Sequence, residues 1–168
     1  MPRPPEAARE APVLEPLGPQ HAAALYEVLA DPTLYRFLDY GPPPSAQHLR
    51  DVYTRLARGA PEGSGQVWIN WAILDAGNPA GYVQATVVPA KGEAWLAYVL
   101  GARYQGRGHA TRACEALMNH VGAARWLATV EHDNAASIAL LGRLGFRAAS
   151  GEETSGRDLT PTERLYVR

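Results

Sequence analysis

The chain has 168 residues, 46% apolar and 20% charged, with 16 basic against 17 acidic side chains and a formal net charge of −1. That length suits one well-buried core and is short for two ordinary domains; the charge balance lacks the basic excess expected of a nucleic-acid binder. No apolar run approaches the length that spans a bilayer, and a single cysteine, Cys114, allows no intrachain disulfide and suits a reducing cytoplasm.

Residues 1–11 carry three prolines and little that could be buried, which predicts a disordered tail before one domain over 12–168. The start Met1-Pro2-Arg3-Pro4-Pro5-Glu6 also lacks the apolar core of a signal peptide. Val13 to Leu17 reads as an edge strand. Pro19 opens a helix on which Ala22, Leu25, Tyr26 and Leu29 share a face, ending before Asp31-Pro32. Gly41-Pro42-Pro43-Pro44 is a rigid break, and Ser45 is a suitable N-cap for a second helix to about Arg58, with Leu49, Val52, Tyr53 and Leu56 inward. The period then changes. Val67 to Leu74 and Gly81 to Val88 read as a hairpin around Asp75-Ala76-Gly77-Asn78-Pro79, followed by a buried strand over Glu93 to Leu100. Apolar positions at Ala110, Ala113, Cys114, Leu117, Met118 and Val121 predict a helix, and place Cys114 in its core face. A strand over Trp126 to Glu131, a helix from Asn134 closed by Gly145, and two last strands at 146–150 and 164–167 around a polar loop complete the order βααβββαβαββ. That order is an α+β sheet with helices on both faces. No internal repeat is present.

The stretch Gln105-Gly106-Arg107-Gly108-His109-Ala110 stands where a strand turns into a helix. Glycine there permits positive φ and close approach of a ligand to the main chain. The free N–H groups and dipole of the new helix then form a cradle for an anion, best a phosphate or pyrophosphate. A P-loop would need Gly-Lys-Ser/Thr, which is absent; a dinucleotide fingerprint would need a third glycine where Thr111 stands.

Gln105-x-x-Gly108-x-Ala110, followed by Asn134-x-x-Ser137 and Leu144-Gly145-Phe146, resembles the cofactor-binding pattern of the GNAT superfamily of acyl-CoA-dependent N-acetyltransferases. Together with Ala97-Tyr98-Val99-Leu100 it resembles the branch holding the ribosomal-protein N-terminal acetyltransferases, with the strong similarity over residues 81–147. The resemblance implies the GNAT fold: a central, mostly antiparallel mixed sheet with a splayed parallel pair of strands and helices on both faces. It implies acetyl-CoA as co-substrate, no metal, and a small-molecule amine or a protein N-terminus as acceptor; a homodimer is a state common in the family.

By the same resemblance, the main chain of Tyr98, Val99 and Leu100 pairs with pantetheine. The N–H groups of Gln105, Gly106, Arg107, Gly108, His109 and Ala110, with Thr111 beside them, take the pyrophosphate. Asn134 reaches the cofactor from its helix start, and Arg107 and Arg112 are placed to meet phosphate charge. An attacking amine must lose a proton, and Glu93, Glu131 and His132 are the candidate bases. The departing sulfur must gain one. The tyrosine that many relatives carry three residues before the Leu of Leu-Gly-Phe is Leu141 here, which leaves Ser137 or Tyr98 as donor. Trp68, Asn70, Tyr82 and Gln84, with Trp71 nearby, are candidates for the acceptor wall. The five histidines show no metal-ligand spacing. The alternative to an enzyme is a CoA-binding module without turnover, prompted by Leu141; a nucleotide enzyme using the glycine loop is a third reading.

Overall fold

The computed structural model describes residues 11–168; the tail expected over 1–11 lies, but for Ala11, outside the described residues. Strand β1 (Val13–Pro16) leads through a 3-10 turn at Pro19–His21 into helix α1 (Ala22–Leu29). Pro19 opens the turn rather than the α-helix itself. The buried ring of His21 fixes the entry, accepting from the Gly18 N–H at 3.0 Å while Nε2 meets Glu15 at 2.5 Å. A further 3-10 turn at Pro32–Tyr35, capped by Asp31, precedes α2 (Ala46–Ala57), where the Ser45 hydroxyl accepts from the His48 N–H at 3.0 Å.

The hairpin β2 (Val67–Asp75) and β3 (Asn78–Val88) and strand β4 (Glu93–Leu100) lead to α3 (His109–Val121). Then come β5 (Arg125–Glu131), α4 (Ala135–Arg143), β6 (Arg147–Ala148), the one-turn α5 (Gly151–Thr154) and β7 (Glu163–Val167). Gly145 ends α4 with φ 84°. The Gly145 N–H reaches the Gly142 carbonyl at 3.0 Å and the Phe146 N–H reaches Leu141 at 2.9 Å, satisfying two orphan carbonyls. The chain end differs from expectation: β6 is only two residues long, and α5 stands inside the loop expected to be irregular. Ser150 and Glu153 form a reciprocal cap there, each side chain accepting from the other's main-chain N–H.

The seven strands form one sheet in the order β1-β2-β3-β4-β5-β7-β6, antiparallel except for β4 against β5. One face packs on α3 and α4 through Ile73, Val83, Leu96, Leu117 and Leu141. The other face carries α1 and α2 over β2 and β3, through Leu25, Leu29, Leu49, Tyr53 and Ala72. Beyond them, Leu127, Leu165 and Val167 pack with Trp95 and Leu159. The expected mixed sheet with helices on both faces is therefore present, and its one parallel pair matters most. Pairing of β4 with β5 covers only Glu93 to Trp95 against Arg125 to Leu127, after which the two strands part.

Candidate active site

The loop between β4 and α3 is built around two backbone bends. Gly106 and Gly108 have φ of 72° and 79°, a region where an L side chain is strained. Gln105 folds back so that Nε2 donates to the Leu100 carbonyl at 2.9 Å, tying the loop to the end of β4. Its own N–H donates to the Ala102 carbonyl at 3.2 Å, so Gln105 contributes a latch instead of the free main-chain donor expected of it. From Gly106 to Thr111 the main-chain N–H groups have no acceptor among the described residues, and Arg112 makes the first intrahelical bond, to Gly108. These donors stand at the positive end of a 13-residue helix, which suits a multiply charged anion.

Asp75, at the end of β2, braces this loop. One carboxylate oxygen lies 3.3 Å from Arg107 and the other 3.4 Å from Nε2 of the buried His109. No local pattern signals this brace, because it links residues 32 apart through the hairpin.

Where β4 leaves β5, Leu96 to Leu100 keep β3 as their only strand partner, and the edge facing β5 is open. Ala97 and Thr129 are solvent-exposed in the middle of a sheet otherwise covered on both faces. That open edge is a slot for an extended amide chain, which would pair as a missing strand does. On the α3/α4 side of the slot, the Tyr98 hydroxyl is buried without a hydrogen-bond partner. Burial pushes its pKa up to about 12, with the neighbouring Ser137 side chain pulling the other way. Tyr98 is thus a phenol at neutral pH, able to donate and unable to serve as a base. Asn134 Oδ1 caps the positive end of α4 by accepting from the Ser137 N–H at 3.1 Å. Leu141 is wholly buried in the core and donates nothing.

Of the candidate bases, Glu131 closes β5 at the open end and, by strand alternation, shares a face with the exposed Thr129. His132 follows it, exposed, with Nδ1 2.5 Å from Asp133. Glu93 is not brought to this end. It starts β4 in the paired part of the fork, about 17 Å along the strand from Tyr98 at roughly 3.3 Å per residue. There it is buried and ion-paired to Arg157 at 2.8 Å. Its carboxylate is occupied in holding the segment after α5 to the sheet.

Asn70, Tyr82 and Gln84 lie together on the α1/α2 face. Gln84 Nε2 donates to Asn70 Oδ1 at 2.7 Å, and Tyr82 and Gln84 line a cavity of about 250 Å³ between the sheet and α2. Gln84 is the cross-strand partner of Ala97, and Tyr82 of Val99, so the cavity adjoins the open slot. Trp68 stands outside it, its indole donating to Gln66 at 2.8 Å, and Trp71 packs on the opposite face against the His120 ring. The cavity also uses Tyr35, Tyr40 and Tyr53, which sequence reading assigns to a core face or to no role. Their clustering around Gly41-Pro42-Pro43-Pro44 is the available signal. Among the described residues, no group of three or more His, Cys, Asp or Glu could hold a metal ion.

Comparison with known proteins agrees with this geometry. A family model described as an acetyltransferase (GNAT) domain matches residues 13–147. The chain belongs to the GNAT acetyltransferase family. Solved structures similar to it include an acetyltransferase from Thermus thermophilus, with a TM-score of 0.73, 22% identity, and coverage of 95% of this chain and 97% of that one. A ribosomal L7/L12 N-terminal protein acetyltransferase in complex with coenzyme A gives a TM-score of 0.74 at 23% identity, covering 92% of each chain. An acetyl transferase from Salmonella typhimurium, which modifies the N-terminal serine of L7/L12, gives 0.73 at 22%, again covering 92% of each. A search of curated proteins gave no match.

Proposed function

We propose that the protein transfers the acetyl group of acetyl-CoA directly to a primary amine. The observation that carries this reading is the coincidence, at one end of the sheet, of an open β4 edge and a loop of unpartnered N–H groups. Acetyl-CoA, when bound, supplies an activated acetyl thioester. The N–H groups of Gly106 to Thr111 hold the pyrophosphate, with Arg107 nearby; Tyr98, Val99 and Leu100 pair with the pantetheine amides. A main-chain N–H near Val99 or Leu100 steadies the negative charge that grows on the acetyl oxygen. Glu131, directly or through water, takes the proton of the attacking amine. Ser137 and Tyr98 lie together and hydrogen-bond the departing sulfur. Asn70, Tyr82 and Gln84 form the inner acceptor wall. Residues 12–168 are one catalytic unit.

The acceptor is a small amine or a protein N-terminus, the latter being the substrate of the L7/L12 enzymes named above. No described helix is long and apolar enough to cross a membrane, and the buried free thiol of Cys114 fits a reducing compartment; we place the protein in the cytoplasm. The buried Leu141 favours a second reading, a CoA-binding module without turnover. CoA thiol release over a panel of primary amines separates the two. Transfer predicts amine-dependent release, with acetylated amine in equal amount. Release no faster than hydrolysis with every amine would leave the binding module.

A further inference from the structure

The cavity beneath α2 has features that no role in CoA binding explains. Its lining includes four tyrosines and no Asp, Glu, Lys or Arg, and His48 at its exposed mouth is the only titratable nitrogen base. Tyr35 donates its hydroxyl to the Leu29 carbonyl at 2.8 Å, and the Tyr40 hydroxyl neighbours that of Tyr82. Tyr53 differs. It is 3% exposed, it lines the cavity, and its hydroxyl has no hydrogen-bond partner among the described residues. A buried hydroxyl left unpaired is costly unless something fills the role of acceptor.

We infer that this cavity takes an uncharged, ring-sized group of the acceptor, bearing an oxygen that accepts the Tyr53 hydrogen bond. The inference rests on the acceptor reading above, because Tyr82 and Gln84 connect the cavity to the β4 slot. Size supports a ring: an apolar cavity of about 150 Å³ holds benzene, and about 250 Å³ leaves room for a short polar branch. Charge decides between neutral and cationic groups. A buried cation without a carboxylate loses its hydration, and tyrosine faces return only part of that loss. A carboxylate would find no cation in the lining. The selected group is therefore aromatic or alicyclic, neutral, and decorated with a carbonyl, ether or hydroxyl oxygen.

Binding of three probes of matched size tests this without any turnover: acetophenone, ethylbenzene and the trimethylphenylammonium ion, each titrated into the full chain by NMR. Acetophenone is expected to bind roughly tenfold more tightly than ethylbenzene, the worth of one good hydrogen bond, and more tightly than the cation. Tyr53→Phe, which keeps the ring, should bring acetophenone down to the level of ethylbenzene. Val52→Trp, which fills the cavity from its partly exposed wall, should abolish binding of both while CoA affinity holds; it also serves should Tyr53→Phe fail to fold. A cation that binds tightest, equal binding of acetophenone and ethylbenzene, an unmoved preference in Tyr53→Phe, or no binding of any probe would overturn the inference. Acetyl transfer to amines could fail while the probes behave as expected, or succeed while they do not, so the two claims fall separately.

Discussion

Two buried phenols flank the candidate site, and their hydroxyls share an anomaly. Tyr98 and Tyr53 both bury an oxygen with no partner, one beside the open slot and one in the cavity under α2. An unpaired buried hydroxyl costs about 1–3 kcal/mol, so removing it can leave the fold as stable or more so. Tyr98→Phe is therefore expected to leave the denaturation midpoint level or raised while lowering kcat; a fall in both would mark the residue as structural. Ser137→Ala should lower kcat by roughly tenfold at neutral pH, at the modest end for proton-donor removal, because a thiol with a pKa of about 8.5 leaves tolerably unaided. That deficit should shrink as pH rises past about 8.5 in a kcat–pH profile. Glu131→Gln, by contrast, should lower kcat at neutral pH, with a deficit that shrinks as pH rises toward the amine's own pKa, because an amine already neutral needs no base.

The elements that matter are those where regular structure gives way. β4 is a full strand toward β3 and a half-strand toward β5, and the part it leaves unpaired is the slot. The glycine loop then exposes a run of N–H groups that an ordinary turn would satisfy. Gly106-x-Gly108, the apolar spacing of α3 and the Asn134 cap made this half of the site legible, because local sequence dictates local backbone. Gly145 likewise announced the end of α4. Of the cavity side, proposed for the acceptor, only Asn70, Tyr82 and Gln84 were singled out by the sequence. Tyr35, Tyr40 and Tyr53 join them through packing of α1 and α2 on the sheet, which no local pattern encodes. The same limit explains Glu93. Its carboxylate made it a candidate base, yet the tertiary fold sets it against Arg157 and, at 3.9 Å, Arg125. Glu93→Gln should lower stability by about 2 kcal/mol, discounted from a fully buried pair for the partial exposure of both arginines, and leave kcat per folded molecule unchanged. Asp75→Asn, which loosens Arg107 and His109, should raise the Kd for CoA severalfold with kcat at saturation intact.

At the scale of the whole molecule, one ion network closes the far end of the sheet. Glu153 meets Arg147 at 2.8 Å and Arg125 at 2.9 Å, while Glu93 meets Arg157, tying α5 and the chain that follows it to β4, β5 and β6. The Arg147 guanidinium and the Ser150 N–H hold the Glu153 carboxyl down to about 2, against an ordinary 4.5. A carboxyl depressed in the folded state contributes stability that is full above its unfolded pKa and lost as pH falls through its folded one. Stability should therefore decline from pH 4.5 toward about 2, and Glu153→Gln should be less stable at neutral pH with a flatter acid limb in pH-dependent denaturation. The network closes one end of the sheet, and the fork leaves the other open for a cofactor. Calorimetric titration with CoA, ATP and NAD tests that division of the molecule most directly. CoA should bind far more tightly than ATP or NAD, and Gly108→Val should weaken CoA by about tenfold, the effect of forcing a side chain to φ 79°. CoA that fails to bind, or binds no better than ATP, would contradict the assignment of the open end as a CoA site.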